Sequence, residues 1–190
     1  MSSSTNKPSL VRYIAVSAVM IALSTALSFV KIWQMPLGGS VTLLSMVPIC
    51  TIGLIYGTGY AILPCLIYGA IQMMQGGVFA WGLTPGVLVA AILLDYIVAF
   101  GVMCLSGLFY KKGPAFQLVG VVIALVARFA CHFVSGVVLW ENFDIYNNPY
   151  IYSLVYNGTY MLPELVLTLI GFSLLIFTGA FQQVKKLARG

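Results

Sequence analysis

Charge is what this sequence has least of. Nine lysines and arginines and four aspartates and glutamates make up 7% of 190 residues, against about 25% in an ordinary soluble domain. So few charges cannot coat a soluble surface. The 61% apolar composition and mean hydropathy of +1.04 place the chain in a membrane. Disorder, collagen and coiled coil are excluded as well, because each needs polar or strictly repetitive composition. A single histidine argues against most metal mechanisms. Cys50, Cys65, Cys104 and Cys131 all fall inside apolar runs with no C-x-x-C pair. They read as small packing residues, not as a metal site or a disulfide framework. There is no G-x-x-x-x-G-K-[ST] loop, so the chain is not expected to use ATP alone. No resident cofactor or metal is expected, and no soluble catalytic domain has room to fit.

What is present is apolar runs bounded by charge. A helix needs about 20 apolar residues to cross a hydrocarbon core of roughly 30 Å. The runs predict an all-α membrane protein of one domain, 1–190, with six spans. These are placed at about 11–30, 41–56, 58–74, 87–109, 117–140 and 161–181. The second and third divide at Tyr56-Gly57-Thr58-Gly59-Tyr60, and each holds a proline, Pro48 or Pro64. Met35-Pro36-Leu37-Gly38-Gly39-Ser40 is a turn-rich link, and 141–160 reads as a polar, tyrosine-rich loop. The polar start, 1–9, precedes an apolar run too long for a signal peptide and is expected to be retained.

Even span number puts both termini on one side. Lys7, Arg12, Lys111, Lys112, Lys185, Lys186 and Arg189 collect there, with Lys31 alone on the other side. The positive-inside rule makes both termini cytoplasmic. The net charge of +5 thus sets orientation and does not point to nucleic acid. Glu141, Asp144 and the tryptophans Trp33, Trp81 and Trp140 then face outward. No inverted repeat is visible, which argues against a large secondary-transporter architecture.

Asp95, Arg128, His132 and Glu164 are ionisable side chains within the apolar runs. A charge at the bilayer centre costs roughly 2.5–3.5 kcal/mol on insertion scales, so such residues face a cavity or a partner. Asp95 follows Val87 by eight residues, about 12 Å of helix. His132 precedes Trp140 by the same interval, and Glu164 is three residues into the sixth span. All three are expected in the outer leaflet, with Arg128 one turn deeper on the face of His132. One reading is a buried Asp95–Arg128 ion pair joining two helices, with His132 as packing. The other is an outward-opening pocket with a carboxylate, an imidazole and aromatic walls. Tyr96, Trp140, Tyr150, Tyr152, Tyr156, Asn157 and Tyr160 are nearby in sequence. A carboxylate among tryptophan and tyrosine faces suits an organic cation. In the first span, Ala18, Ala22 and Ala26 recur every four residues. This small-residue stripe serves either packing within the bundle or docking to another membrane subunit.

These motifs resemble the thiamine-specific family of S components, the substrate-binding subunits of energy-coupling-factor (ECF) vitamin transporters. The resemblance is carried by Met35-Pro36-Leu37-Gly38-Gly39-Ser40-Val41-Thr42-Leu43, Leu94-Asp95-Tyr96, Cys131-His132-Phe133-Val134-Ser135-Gly136 running on to Trp140, and Tyr152-Ser153-Leu154-Val155-Tyr156-Asn157-Gly158. Ala18-Val19-Met20-Ile21-Ala22 is similar to the family's A-x-x-x-A docking signature. It implies a non-enzymatic, six-helix subunit of the prokaryotic cell membrane that captures thiamine from outside. A transmembrane coupling subunit and two ATPases would then drive release inside. It further implies binding roles for Asp95, Tyr96, His132, Gly136, Trp140, Tyr152 and Asn157. Aspartate at position 95 replaces the glutamate of some members, keeping the charge on a shorter arm. Trp33 does not align securely with the family's loop tryptophan. The alternatives are an S component for a thiamine precursor or another cationic or pyrimidine vitamin, a solitary proton-coupled carrier, and an intramembrane enzyme. With no obvious phosphate cradle in the sequence, phosphorylated thiamine is expected to bind less well.

Overall fold

The computed structural model describes residues 9–140 and 146–189, with Leu37 as backbone only. Lys7, Glu141 and Asp144, and most of the polar start, lie outside the described residues. Helix α1 (Leu10–Ser28) leads into an antiparallel hairpin, β1 (Lys31–Gln34) and β2 (Ser40–Thr42). Then follow α2 (Met46–Tyr56) and α3 (Thr58–Gly76). The remaining helices are α4 (Pro85–Phe109), α5 (Pro114–Leu139), α6 (Pro149–Phe177) and α7 (Ala180–Arg189). Among the described residues five helices are long and apolar enough to cross a membrane: α1, α3, α4, α5 and α6. This is a multi-pass membrane protein.

Three expected boundaries move. The segment 41–56 is not one helix: Val41 and Thr42 belong to β2, and Leu44 turns the chain at φ 60°. Only Met46–Tyr56 is helical, and all eleven of its residues are buried. At 1.5 Å per residue it is about 16 Å long, so α2 runs through the middle of the protein and not along its lipid face. Second, the supposed loop at 150–160 is the start of α6. Asn148 caps that helix by accepting from the Tyr150 and Ile151 amides at 3.0 and 3.2 Å, and Pro149 opens its first turn, a favoured N-terminal pair. Third, α6 ends at Phe177. Gly179, at φ 74°, separates it from α7, and the expected span to 181 therefore crosses a helix break. The Tyr56–Tyr60 division holds, with Gly57 at φ 92° between the two helices.

The core is built from close approaches around α2. A methyl group on Gly53 would meet Ser106 Oγ at 2.3 Å, and one on Gly107 would meet the Thr58 amide at 2.5 Å. The inner part of α4 is not regular. Ile92–Val98 follows a wide π-helical path and Val102–Phe109 a tight 3-10 path. Such π turns recur at functional sites, and this one carries Asp95 and Tyr96. On α1, Ser17, Ser24 and Ser28 face inward, while Ala15, Ala18, Ala22 and Ala26 are exposed. The alanine stripe is therefore not spent on packing within this bundle. At the far end, α7 buries Phe181 and Ala188, and Arg189 donates to the Ile55 carbonyl at the end of α2.

Candidate functional site

The hairpin is a roof, and the helix ends beneath it are walls. Tyr156 fastens its tip by accepting from the Gly39 amide at 3.2 Å and donating to the Pro36 carbonyl. A methyl group on Gly39 would stand 2.8 Å from the Tyr160 ring, and one on Gly38 3.1 Å from Trp81. Gly38 also has φ 96°, a conformation open chiefly to glycine. The two glycines of the Leu37-Gly38-Gly39-Ser40 turn thus let the backbone lie directly on aromatic rings. At the other end of the hairpin, Glu164 accepts from Thr42's amide and its hydroxyl, both at 2.8 Å. Thr42 and Ser45 hydroxyl groups also lie 2.5 Å apart.

Below the roof is a cavity of about 120 Å³, several times the ~10–15 Å³ that one water needs. All seven residues singled out from the sequence line it: Asp95, Tyr96, His132, Gly136, Trp140, Tyr152 and Asn157. Arg128, Tyr156, Tyr160 and Trp81 line it as well.

Asp95 is held from α5. Its Oδ1 lies 3.0 Å from His132 Nδ1, and its Oδ2 accepts from Ser135 Oγ at 2.6 Å. His132 and Ser135 are separated by three residues, so one helical face presents both to α4. Beside a carboxylate the imidazole donates from Nδ1, which makes Nε2 the acceptor. Nε2 is buried without a hydrogen-bond partner among the described residues. An unpaired buried acceptor is costly, and a ligand amino group would satisfy it.

The Asp95–Arg128 ion pair is not formed. Arg128 instead lies over the Phe100 ring at 4.3 Å and directs Nη1 to the Met46 sulfur at 3.3 Å. Its Nε has no partner, and it reaches the cavity from one turn below His132. Glu164 also departs from expectation. With α6 beginning at Pro149, it lies fifteen residues into its helix rather than three, 2% exposed. Its charge is absorbed by Thr42 and does not line the cavity.

Aromatic rings supply most of the remaining surface. Trp81 and Trp140 meet edge to face with centroids 5.4 Å apart. Tyr152 stacks on Tyr156 at 5.8 Å, and Tyr160 stands edge-on to both Tyr156 and His132. Residues 152, 156 and 160 share one face of α6 by their spacing of four. Asn157 binds the His132 carbonyl at 3.2 Å and Ser153 Oγ at 3.1 Å, and accepts from Tyr160 at 2.8 Å. It ties α6 to α5 within the wall. Gly136 permits that approach: a methyl group there would be 2.2 Å from Ser153 Oγ. Trp33 and Tyr150, by contrast, are 51% and 62% exposed and do not line the cavity.

Sequence reasoning missed Trp81, Gln72 and Gln75 as lining residues. Gln72 and Gln75 had a legible signal: two amides, three residues apart, at the end of an otherwise apolar run. Trp81 had none beyond being a tryptophan in a loop between two apolar runs.

Comparison with known proteins identifies the family. The family model for thiamine transporter protein matches residues 14–183. Thiamine transporter ThiT of Bacillus subtilis is 35% identical over 185 residues, covering 90% of this chain and 92% of that one. ThiT of Lacticaseibacillus paracasei is 30% identical over 91 residues, 41% of this chain and 45% of its own. A solved structure of ThiT from Listeria monocytogenes has a TM-score of 0.71 at 25% identity, covering 94% of this chain and 97% of that one. With a family match over nearly its whole length and a cavity suited to an organic cation, this chain belongs to the thiamine transporter protein family, a family of bacterial membrane transporters and not of enzymes.

Proposed function

We propose that this chain is the thiamine-capturing subunit of an ECF-type transporter. It forms one domain over 1–190, with six transmembrane helices of which the short, buried α2 is the second, and both termini in the cytoplasm. The observation that carries the reading is the Asp95–His132–Ser135 cluster among aromatic walls beneath the hairpin. Thiamine joins a permanently cationic thiazolium to an aminopyrimidine. Asp95 supplies the counter-charge, and the rings of Trp140 and His132 flank the cation by cation–π contact. The free Nε2 of His132 accepts from the amino group. Tyr152 and Asn157 complete the polar wall, Tyr96 closes it from α4, and Gly136 keeps α5 and α6 close enough to form it.

The exposed Ala18 and Ala22 are the docking face for the transmembrane coupling subunit, which in turn joins two ATPases. The chain has no nucleotide-binding motif, so energy must come from such partners or from an ion gradient. Reconstitution separates these. Liposomes holding this chain alone, with or without a pH gradient, are expected to accumulate no thiamine. Adding coupling subunit, ATPases and ATP is expected to give accumulation. Uptake by the chain alone under a pH gradient would establish the solitary carrier instead.

A further inference from the structure

At the end of α2 away from the cavity, four cations converge. Arg189, the last residue of α7, donates to the Ile55 carbonyl from Nε at 3.1 Å and also from Nη2. Its guanidinium lies 5.6 Å from the centre of the Tyr110 ring. Lys111, in the turn between α4 and α5, places its ammonium 5.4 Å from the centre of the same ring. Arg12 and Arg189 both stand within electrostatic reach of the Tyr56 hydroxyl, which donates to the Ala188 carbonyl at 3.1 Å. Tyr13, next to Arg12, meets the Tyr56 ring edge to face at 5.3 Å. Lys185 is half-buried on α7. Burial, and then the neighbouring Arg189, push its ammonium below the ordinary lysine range.

Like charges gathered in this way repel, the more so where water is partly excluded. None of the four cations forms an ion pair among the described residues, where the one such pair is His132 with Asp95. Asp95 and Glu164 are held by α5 and β2 around the cavity. The surface beside the cations is apolar. Leu10 and Val11 at the start of α1, Phe116 in the first turn of α5, Phe177 at the end of α6 and Leu187 on α7 are all exposed. Helix α7 itself has two faces, with Phe181 and Ala188 buried and Gln182, Gln183 and Lys186 turned outward. Basic, two-faced helices of this kind lie at membrane surfaces. Exposed hydrocarbon beside unpaired cations matches a molecule with an anionic head and apolar tails. An acidic protein segment would satisfy the charges but leave the apolar side chains uncovered.

We propose that Arg12, Lys111, Lys185 and Arg189 form a docking site for the headgroup of an anionic phospholipid, whose acyl chains cover the exposed apolar residues around them. Basic pockets at the ends of membrane helices take anionic headgroups in this way. Arg189 spends Nε and Nη2 on Ile55, which leaves Nη1 for the phosphate. Lys111 and Lys185 serve it as point charges. The bound lipid joins the start of α1, the α4–α5 turn and α7, and so holds α7 against the end of α2. The inference does not depend on which ligand the cavity takes.

The test equilibrates the full chain in detergent micelles with equal amounts of phosphatidylglycerol and phosphatidylcholine of the same acyl chains, and counts retained lipid by native mass spectrometry. Wild type is expected to prefer phosphatidylglycerol by about fivefold or more, and to lose that preference as salt rises and screens the charges. The double variant Lys111→Gln, Lys185→Gln should bring the preference below twofold, while Lys111→Arg, Lys185→Arg keeps it. Arg189 stays in place because it also fastens α7 to α2. In lipid-free detergent the glutamine pair is expected to unfold no earlier than wild type, because a repulsion has gone. Glycerol 3-phosphate, a headgroup without tails, should not displace the lipid at equal concentration. Displacement by it would make the site one for a soluble anion and overturn the proposal. So would wild type without a preference, which would leave the cations to an acidic protein segment, or a preference that survives in the glutamine pair.

Discussion

Asp95→Asn is expected to weaken thiamine binding by between about tenfold and a hundredfold or more. A hydrogen bond to a charged group contributes roughly 1.5–3 kcal/mol, and each 1.4 kcal/mol is a factor of ten. The substitution does two kinds of damage. It removes the counter-charge of the cation, and it places an amide where both oxygens now accept from α5. The amide nitrogen must face either Ser135 Oγ or His132 Nδ1, both of which act as donors toward a carboxylate. If it faces His132, the imidazole is driven to protonate Nε2 instead, and the acceptor available to the ligand's amino group is lost. Asp95→Glu separates these effects: it keeps the charge and lengthens the arm, so it should retain more affinity than asparagine. Fluorescence or calorimetric titration of purified protein reads both variants. Affinity within twofold of wild type for Asp95→Asn would remove the carboxylate from the binding site.

The second large effect is expected far from the cavity. The double variant Ala18→Leu, Ala22→Leu should reduce coupled thiamine uptake by more than tenfold and leave thiamine affinity within twofold. Between membrane helices there is no hydrophobic drive to associate, so close backbone approach across small side chains supplies the contact energy. Leucine at two successive positions of the stripe holds a partner helix away. Both alanines are exposed, while the inward face of α1 is carried by Ser17, Ser24 and Ser28. The bundle itself has no need of the small residues. Impaired binding would return the stripe to internal packing, and unimpaired uptake would place the coupling partner on another face.

The sequence was most legible where physics demands an unusual residue. Asp95 and His132 stood out because ionisable groups in apolar runs are expensive, and equal offsets from the outer ends of their spans put them at one depth. They meet at 3.0 Å. The Gly57 break was equally legible, because an uncharged run about twice the length of one span must divide, and Gly57 and Gly59 mark the place. Less was visible where hydropathy gives the wrong impression. Tyrosine, asparagine and serine make 150–160 look like a loop, yet Tyr152, Tyr156 and Tyr160 repeat every four residues and point into the protein. That periodicity, together with Asn148-Pro149, was the better guide to the start of α6. Taking the helix to begin at 161 misplaced Glu164, whose actual role is to hold β2 through Thr42. The hairpin was not legible as strands, since three or four residues in a glycine-rich turn carry no alternation to read. Arg128 could pair with Asp95 by sequence, but α5 presents His132 and Ser135 to that carboxylate first. The arginine settles on Phe100 instead.

The most direct test of the account is a thiamine titration of the purified protein in detergent, following tryptophan fluorescence. Two of the three tryptophans, Trp81 and Trp140, line the cavity and touch each other, so a ring bound there must change their emission. The account predicts saturable quenching at nanomolar to low micromolar thiamine, with the separate pyrimidine and thiazole halves competing far more weakly. No quenching by thiamine, or equal competition by one half alone, would contradict it.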